Sequence, residues 1–157
     1  MSYSEQFLRE AIRLSKEKMD AGEGGPFAAV IVKDGQIISK GWNCVTTTND
    51  PTAHGEVMAI RHACEVLQTF HLEGCEIYSS CEPCPMCLSA IYWARLDTLY
   101  FAGSMADAAE AGFDDRFLYK ELSKPWNART LKAEQALQHE AQSIFKAWIA
   151  KSDKIEY

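Results

Sequence analysis

The chain reads as a three-layer α/β domain, with helices packed on both faces of a mixed sheet. Three observations predict it. A continuous apolar run, Phe27-Ala28-Ala29-Val30-Ile31-Val32, has the pattern of a strand buried on both faces. Asp34-Gly35 follows and turns the chain back into a second run from Ile37 toward Trp42, which makes a hairpin. Beyond the hairpin, short strand-like runs alternate with helical patterns long enough to serve as parallel crossovers.

In chain order, Ser2 with Glu5 suits a capping box, and Phe7, Leu8, Ala11, Ile12, Leu14 and Met19 form one face of a helix ending near Ala21-Gly22. Gly22 to Pro26 is a turn that leads into the hairpin. Asn43 to Ala53 is polar and turn-rich, and Asp50-Pro51-Thr52 offers a helix start with proline just inside it. The second helix is expected from about His54 to Thr69, burying Val57, Ile60, Cys64 and Leu67. Glu76 to Ser79 is a short strand, Cys84 to Ala94 a third helix, Asp97 to Ala102 another strand, and Ala106 to Leu122 largely helical. Arg129 to Leu137 stays open, helical by composition and a last strand by position. Ala141 to Lys151 is helical, with Ile144, Phe145, Trp148 and Ile149 on one side. No repeat, linker or low-complexity stretch divides the chain, so residues 1–157 read as one domain.

Composition bounds what such a domain could serve. With 157 residues, 47% of them apolar, the chain can bury a substantial core. Its formal net charge of −6 supplies no large positive field to gather a phosphate backbone, which argues against a nucleic-acid partner. Met1 to Asp20 alternates charged with apolar residues, so neither an export signal nor a membrane anchor is expected there. No stretch approaches the roughly 20 apolar residues of a spanning helix. The six cysteines, Cys44, Cys64, Cys75, Cys81, Cys84 and Cys87, are then expected as thiols or metal ligands in a reducing cytoplasm.

Two short stretches carry chemistry, His54-Gly55-Glu56 and Pro83-Cys84-Pro85-Met86-Cys87. Cys84 and Cys87, three apart at a helix start, put both sulfurs on one face beside the positive end of the helix dipole, where thiolate is favoured. With His54 they make three nitrogen or sulfur donors, the set a catalytic zinc ion takes when its fourth position is left for water. Glu56 accompanies them in the order and spacing of the zinc deaminase signature. Residues two apart on an ideal helix point in opposite directions, so His54 and Glu56 can converge only if His54 sits in the unwound first turn. Two other readings compete. Cys81, Cys84 and Cys87 open a ferredoxin-type run, but Ile91 stands where its fourth cysteine would fall. A closed structural zinc site of His54, Cys81, Cys84 and Cys87 would leave Glu56 without a role.

These motifs resemble the cytidine and deoxycytidylate deaminase superfamily, and within it the bacterial guanine deaminases over essentially the whole chain. The restrictive segments are Gly24-Gly25-Pro26-Phe27, Asn49 to His54, Ser80 to Cys87, Ala108-Ala109-Glu110-Ala111-Gly112-Phe113-Asp114-Asp115 and Glu156-Tyr157. One departure is Gly55, where the family usually carries alanine; glycine keeps the backbone N–H that points at substrate but costs about 1 kcal/mol of helix propensity.

The resemblance implies a cytidine deaminase-like α-β-α fold around a central mixed five-stranded sheet. It also implies one zinc ion per chain on His54, Cys84 and Cys87, and hydrolytic deamination of guanine at C2 to xanthine and ammonia. Glu56 would shuttle the proton, activating the water and then protonating the ring and the leaving group. Phe27 would stack on the purine, Asn43 and the Gly55 N–H would hydrogen-bond it, and Asp115 would be the second acid, although Asp114 beside it and a plain helix-cap role stay open. From the residues alone, Phe27 is equally a core aromatic and Asn43 a turn residue, while His62, His71 and His139 read as surface. The resemblance further implies a homodimer in which a segment of about residues 139–157 crosses to the partner subunit and Tyr157 closes that subunit's pocket. A transfer-RNA adenosine deaminase, a deaminase of cytosine, cytidine or guanosine, and a non-catalytic zinc-stapled binding domain are the alternatives.

Overall fold

A computed structural model of the chain, describing residues 3–157, puts the apolar run that follows Phe27 at the middle of one sheet. Strand β1 (Ala28–Lys33) has β2 (Gln36–Trp42) on one side and β3 (Cys75–Cys81) on the other, and β4 (Thr98–Gly103) closes the order β2-β1-β3-β4. Asp34 and Gly35 both take positive φ, 50° and 74°, the two-residue turn whose twist suits a hairpin. Residues Ala28 to Val32 are buried on both faces, as a central strand requires.

Two cores lie on opposite faces of the sheet. Val30, Val32 and Tyr78 pack against Phe7 of helix α1 (Glu5–Asp20), while Ala29, Ile31, Cys75 and Ile77 pack against Ala59 and Ala63 of α3 (Gly55–Leu67) and Ile91 of α4 (Pro85–Trp93). The layers are therefore α1, sheet, α3 with α4. A short α2 (Val45–Thr48) precedes α3, and α5 (Met105–Glu110) follows β4.

Several expectations change. Four strands form among the described residues rather than five, and Arg129 to Leu137, the open candidate, is neither strand nor helix; a single 3-10 turn, Trp126–Ala128, comes just before it. Beyond the hairpin only β3 and β4 run parallel, because β1 and β3 pair antiparallel, Ala29 opposite Ser79 and Lys33 opposite Cys75. The turn-rich stretch after Asn43 holds α2, while α3, expected from about His54 to Thr69, runs from Gly55 to Leu67. Its buried stripe is Gly55, Glu56, Ala59 and Ala63; Ile60, Cys64 and Leu67 flank it and Val57 is only partly buried. The reason is proximity: a Cβ on Gly41 of β2 would stand 2.1 Å from the Ala59 nitrogen and 2.3 Å from the Gly55 oxygen, so small residues alone fit between helix and sheet. On α1 the buried residues are Phe7, Ala11, Leu14 and Ser15, and Ile12 and Met19 face out. The capping box expected of Ser2 lies outside the described residues.

Contacts divide the chain into two compact units, the first running to Arg116 and the second from Phe117 to Tyr157. The predicted helix Ala106–Leu122 is broken by Gly112 (φ 92°) into α5 and α6 (Arg116–Ser123). In the second unit α7 (Gln138–Ala150) is exposed along its length, Ile144 at 70%, Phe145 at 68% and Ile149 at 70%. No helix among the described residues is long and apolar enough to cross a membrane.

Candidate metal centre and active site

Both chemistry-bearing stretches end up at helix starts. His54 is the N-cap of α3, with extended backbone (φ −77°, ψ 156°), and Cys84 is the N-cap of α4 (φ −66°, ψ 166°) with Pro85 as its first helical residue. Cys87 follows within the first turn of α4, next to Cys84. Because His54 lies outside the helical spiral, its ring can turn toward the cysteines while Glu56 faces the same side from within α3.

His54 Nδ1 lies 3.6 Å from Cys84 Sγ and 3.5 Å from Cys87 Sγ, and the three donor atoms fall within 4.8 Å of one another. Zinc bonds of about 2.0 Å to nitrogen and 2.3 Å to sulfur at a tetrahedral angle place nitrogen and sulfur about 3.5 Å apart, so these donors already stand at coordinating separations. A borderline-soft divalent ion is what one imidazole and two thiolates suit.

Electrostatics point the same way. The Cys84 thiol is pushed down to about 4, first by the hydrogen bond from Cys87 and then by the His54 ring, whereas that same bond and burial raise Cys87. His54 is raised chiefly by its contact with Cys84. Of the two sulfurs Cys84 is the one favoured as thiolate, and metal binding would release the proton of the other.

Glu56 is buried, with 6% of its surface exposed, and is outside the donor set. Burial raises its carboxyl, which makes it a group able to hold a proton and pass it on. The Ser79 hydroxyl donates to its Oε1 at 3.1 Å and fixes its orientation. Ser79 was not foreseen from the sequence, where it is one of two adjacent serines, Ser79 and Ser80, ahead of Cys81.

Cys81 does not join the cluster. Its thiol turns to the Ser104 carbonyl at 3.7 Å and burial pushes it up to about 11, which leaves three protein donors instead of a closed set of four.

Around this centre, Asn43 is buried and its Oδ1 accepts from the Gly25 N–H at 3.3 Å and the Val45 N–H at 3.2 Å. Phe27 stands perpendicular to Phe113, ring centres 4.9 Å apart. The Gly55 N–H is among the donors that a helix start leaves without an intrahelical partner. A Cβ on Gly55 would stand 2.9 Å from the Ala28 Cα, so this glycine admits the backbone of β1 right against the site.

The adjacent acids differ. Asp114 is exposed and takes the Arg116 guanidinium at 2.7 and 2.5 Å, whereas Asp115 is half-buried, with a sequestered Oδ1 that has no hydrogen-bond partner. Its carboxyl is raised, first by burial and then by the negative charge of Cys84. The His62 ring N–H donates to the Lys40 carbonyl at 2.8 Å, and His71 lies against Arg95, both away from the donor set.

Residues 1–103 match the model of the cytidine and deoxycytidylate deaminase zinc-binding region. The chain belongs to the cytidine and deoxycytidylate deaminase family. Among its relatives, the guanine deaminase of Bacillus subtilis is 56% identical over 153 residues, 98% of each chain. The crystal structure of a Bacillus subtilis guanine deaminase superposes with a TM-score of 0.96 at 55% identity, covering 99% of both chains. A tRNA-specific adenosine deaminase of Aquifex aeolicus is 47% identical, but over 98 residues, 62% of this chain and 64% of its own. Membership accounts for the donor set, since His54, Cys84 and Cys87 all fall inside the matched zinc-binding region.

Purified protein is expected to hold about one zinc per chain by elemental analysis. Cys84→Ala and Cys87→Ala should each lose it, and Cys81→Ala should keep it. Loss on Cys81→Ala equal to the other two would mean a closed site.

Proposed function

We propose that the chain is a zinc-dependent hydrolase that converts guanine and water to xanthine and ammonia. The observation that supports the substrate most is the extent of the likeness. Similarity to the guanine deaminase runs over 98% of the chain, whereas similarity to the Aquifex adenosine deaminase covers 62%. The chain's net charge of −6 also suits a small base better than a polyanionic RNA.

Bound by His54, Cys84 and Cys87, zinc would supply Lewis-acid activation of a water molecule. The protein's own groups do the rest. Glu56, orientated by Ser79, carries one proton of the water to the ring nitrogen beside C2 and the second, left on the new C2 oxygen, to the departing amine, so that both water protons are accounted for. Phe27 stacks on the purine. Asn43, with its carbonyl oxygen engaged by two backbone N–H groups, donates its amide N–H to the base edge, and the Gly55 N–H donates beside it. Asp115 accepts from the amino group or ring N–H, because Asp114 is already engaged by Arg116. An acid in that role must face the pocket, and the half-buried Asp115 has an oxygen to spare.

The active unit of this reading is a cytoplasmic homodimer. The exposed apolar face of α7 needs cover, and the segment of about residues 139–157 crosses to a second copy, where Tyr157 closes the pocket and keeps out bulk water.

Ammonia release is the decisive assay, run on guanine, guanosine, adenine and cytosine. Guanine should be the preferred substrate, and Glu56→Gln should keep zinc and fold while losing on the order of a hundredfold or more in kcat. Near-normal turnover in Glu56→Gln would remove its role; adenine or cytosine as the preferred substrate would reassign the pocket.

A chain lacking Lys151–Tyr157 should be poorly active alone and regain activity when mixed with full-length Glu56→Gln, whose tail completes the intact site. Full activity of the truncated chain by itself would take the tail out of the mechanism.

A further inference from the structure

We propose that Phe113 is a positioning residue for the base-stacking wall of the pocket, holding the Phe27 ring square to its substrate; this rests on the guanine reading above.

Phe27 precedes the ladder. Strand β1 begins only at Ala28; the Phe27 backbone is tied by its N–H to the Gly25 carbonyl and by its carbonyl to the Asn43 N–H, each at 2.9 Å, bonds that fix the main chain and leave the ring's own rotation to its side-chain contacts. What meets it is Phe113, perpendicular at 90° with ring centres 4.9 Å apart. Gly25 lies beneath both rings, since a Cβ there would stand 3.4 Å from the Phe27 ring and 3.5 Å from that of Phe113. A perpendicular contact braces one ring and leaves it a face for stacking.

Phe113 is itself delivered with precision. Helix α5 ends with the Gly112 N–H bonded to the Ala109 carbonyl at 3.1 Å and the Phe113 N–H to the Ala108 carbonyl at 2.9 Å, while Gly112 takes φ 92°. This paired closure with a left-handed glycine fixes the direction in which the next residue leaves the helix. The same turn carries Asp115 two residues on, so one loop presents both the brace and the second acid. At 46% exposure Phe113 contributes little as a core residue, yet it holds an ordered aromatic contact. A stacking platform free to rotate must be ordered at every binding event, which weakens affinity.

The test is a double-mutant cycle on the full-length, zinc-loaded protein: Phe27→Ala, Phe113→Ala, both together, and Phe113→Tyr, read by guanine KM and kcat, zinc content and unfolding midpoint. Phe113→Ala should raise KM by about 2- to 12-fold, the span of an aromatic pair contact, with kcat and zinc content kept. Phe113→Tyr, which keeps the ring, should retain the parental KM. The double variant should be no worse than Phe27→Ala alone, because a brace with nothing to brace has no effect. A parental KM in Phe113→Ala, or additive losses in the double variant, would overturn the proposal. Should Phe113→Ala not fold, Phe113→Leu replaces it under the same criteria. A parent protein that leaves guanine intact would instead remove the functional reading, and this inference with it.

Discussion

Two helix starts meet at one point in this chain, and their meeting depends on how closely α3 can approach the sheet. Gly41 on the strand side leaves no room for a Cβ against the backbone of α3, and Gly55 at the helix start lies close against Ala28. That approach sets the N-terminus of α3 beside the first residues of β1, so His54 reaches the cysteines of α4 and Phe27 stands at the same opening. A helix held one methyl group farther out would carry the imidazole away from separations of 3.5 and 3.6 Å, which leave little tolerance for a tetrahedral ion. Packing and metal chemistry are one constraint here.

Burial then sorts the acids and thiols. Glu56 is sequestered and tied to Ser79, and so keeps its proton more readily than an exposed carboxylate; Cys84 stands beside a hydrogen-bond donor and an imidazole, and so loses its proton readily. Cys81, three residues from Cys84, is buried against a carbonyl and keeps its proton. The distinction between ligand and bystander among three evenly spaced cysteines comes from local hydrogen bonding, since spacing is the same for all. A similar sorting separates Asp114, engaged by Arg116, from Asp115.

Much of this was legible before any coordinates. Asp34-Gly35 marked the hairpin, Pro85 marked a helix start, and the unwound position required of His54 is the extended N-cap it adopts. Less legible was the direction of β3 against β1, because an intervening helix allows either sense until the strand's place in the sheet is known. Side-chain size points to Val57 and Ile60 as the buried stripe of α3, whereas the narrow gap to the sheet selects Ala59 and Ala63. Ala106 to Leu122 is largely helical as its composition suggests, but the composition does not show that Gly112, at positive φ, interrupts it with the turn that presents Phe113 and Asp115. Ser79 could not be separated from any other strand serine without the register that sets it opposite Ala29 and near Glu56.

The central claim is an open metal site of one imidazole and two thiolates, with a fourth position for an exchangeable light atom. X-ray absorption fine structure at the zinc edge of the purified protein reads that coordination directly. Two sulfurs at about 2.3 Å and two nitrogen or oxygen neighbours at about 2.0 Å are the result the structure predicts. A fit requiring three sulfurs, which would bring Cys81 into the shell, would contradict it.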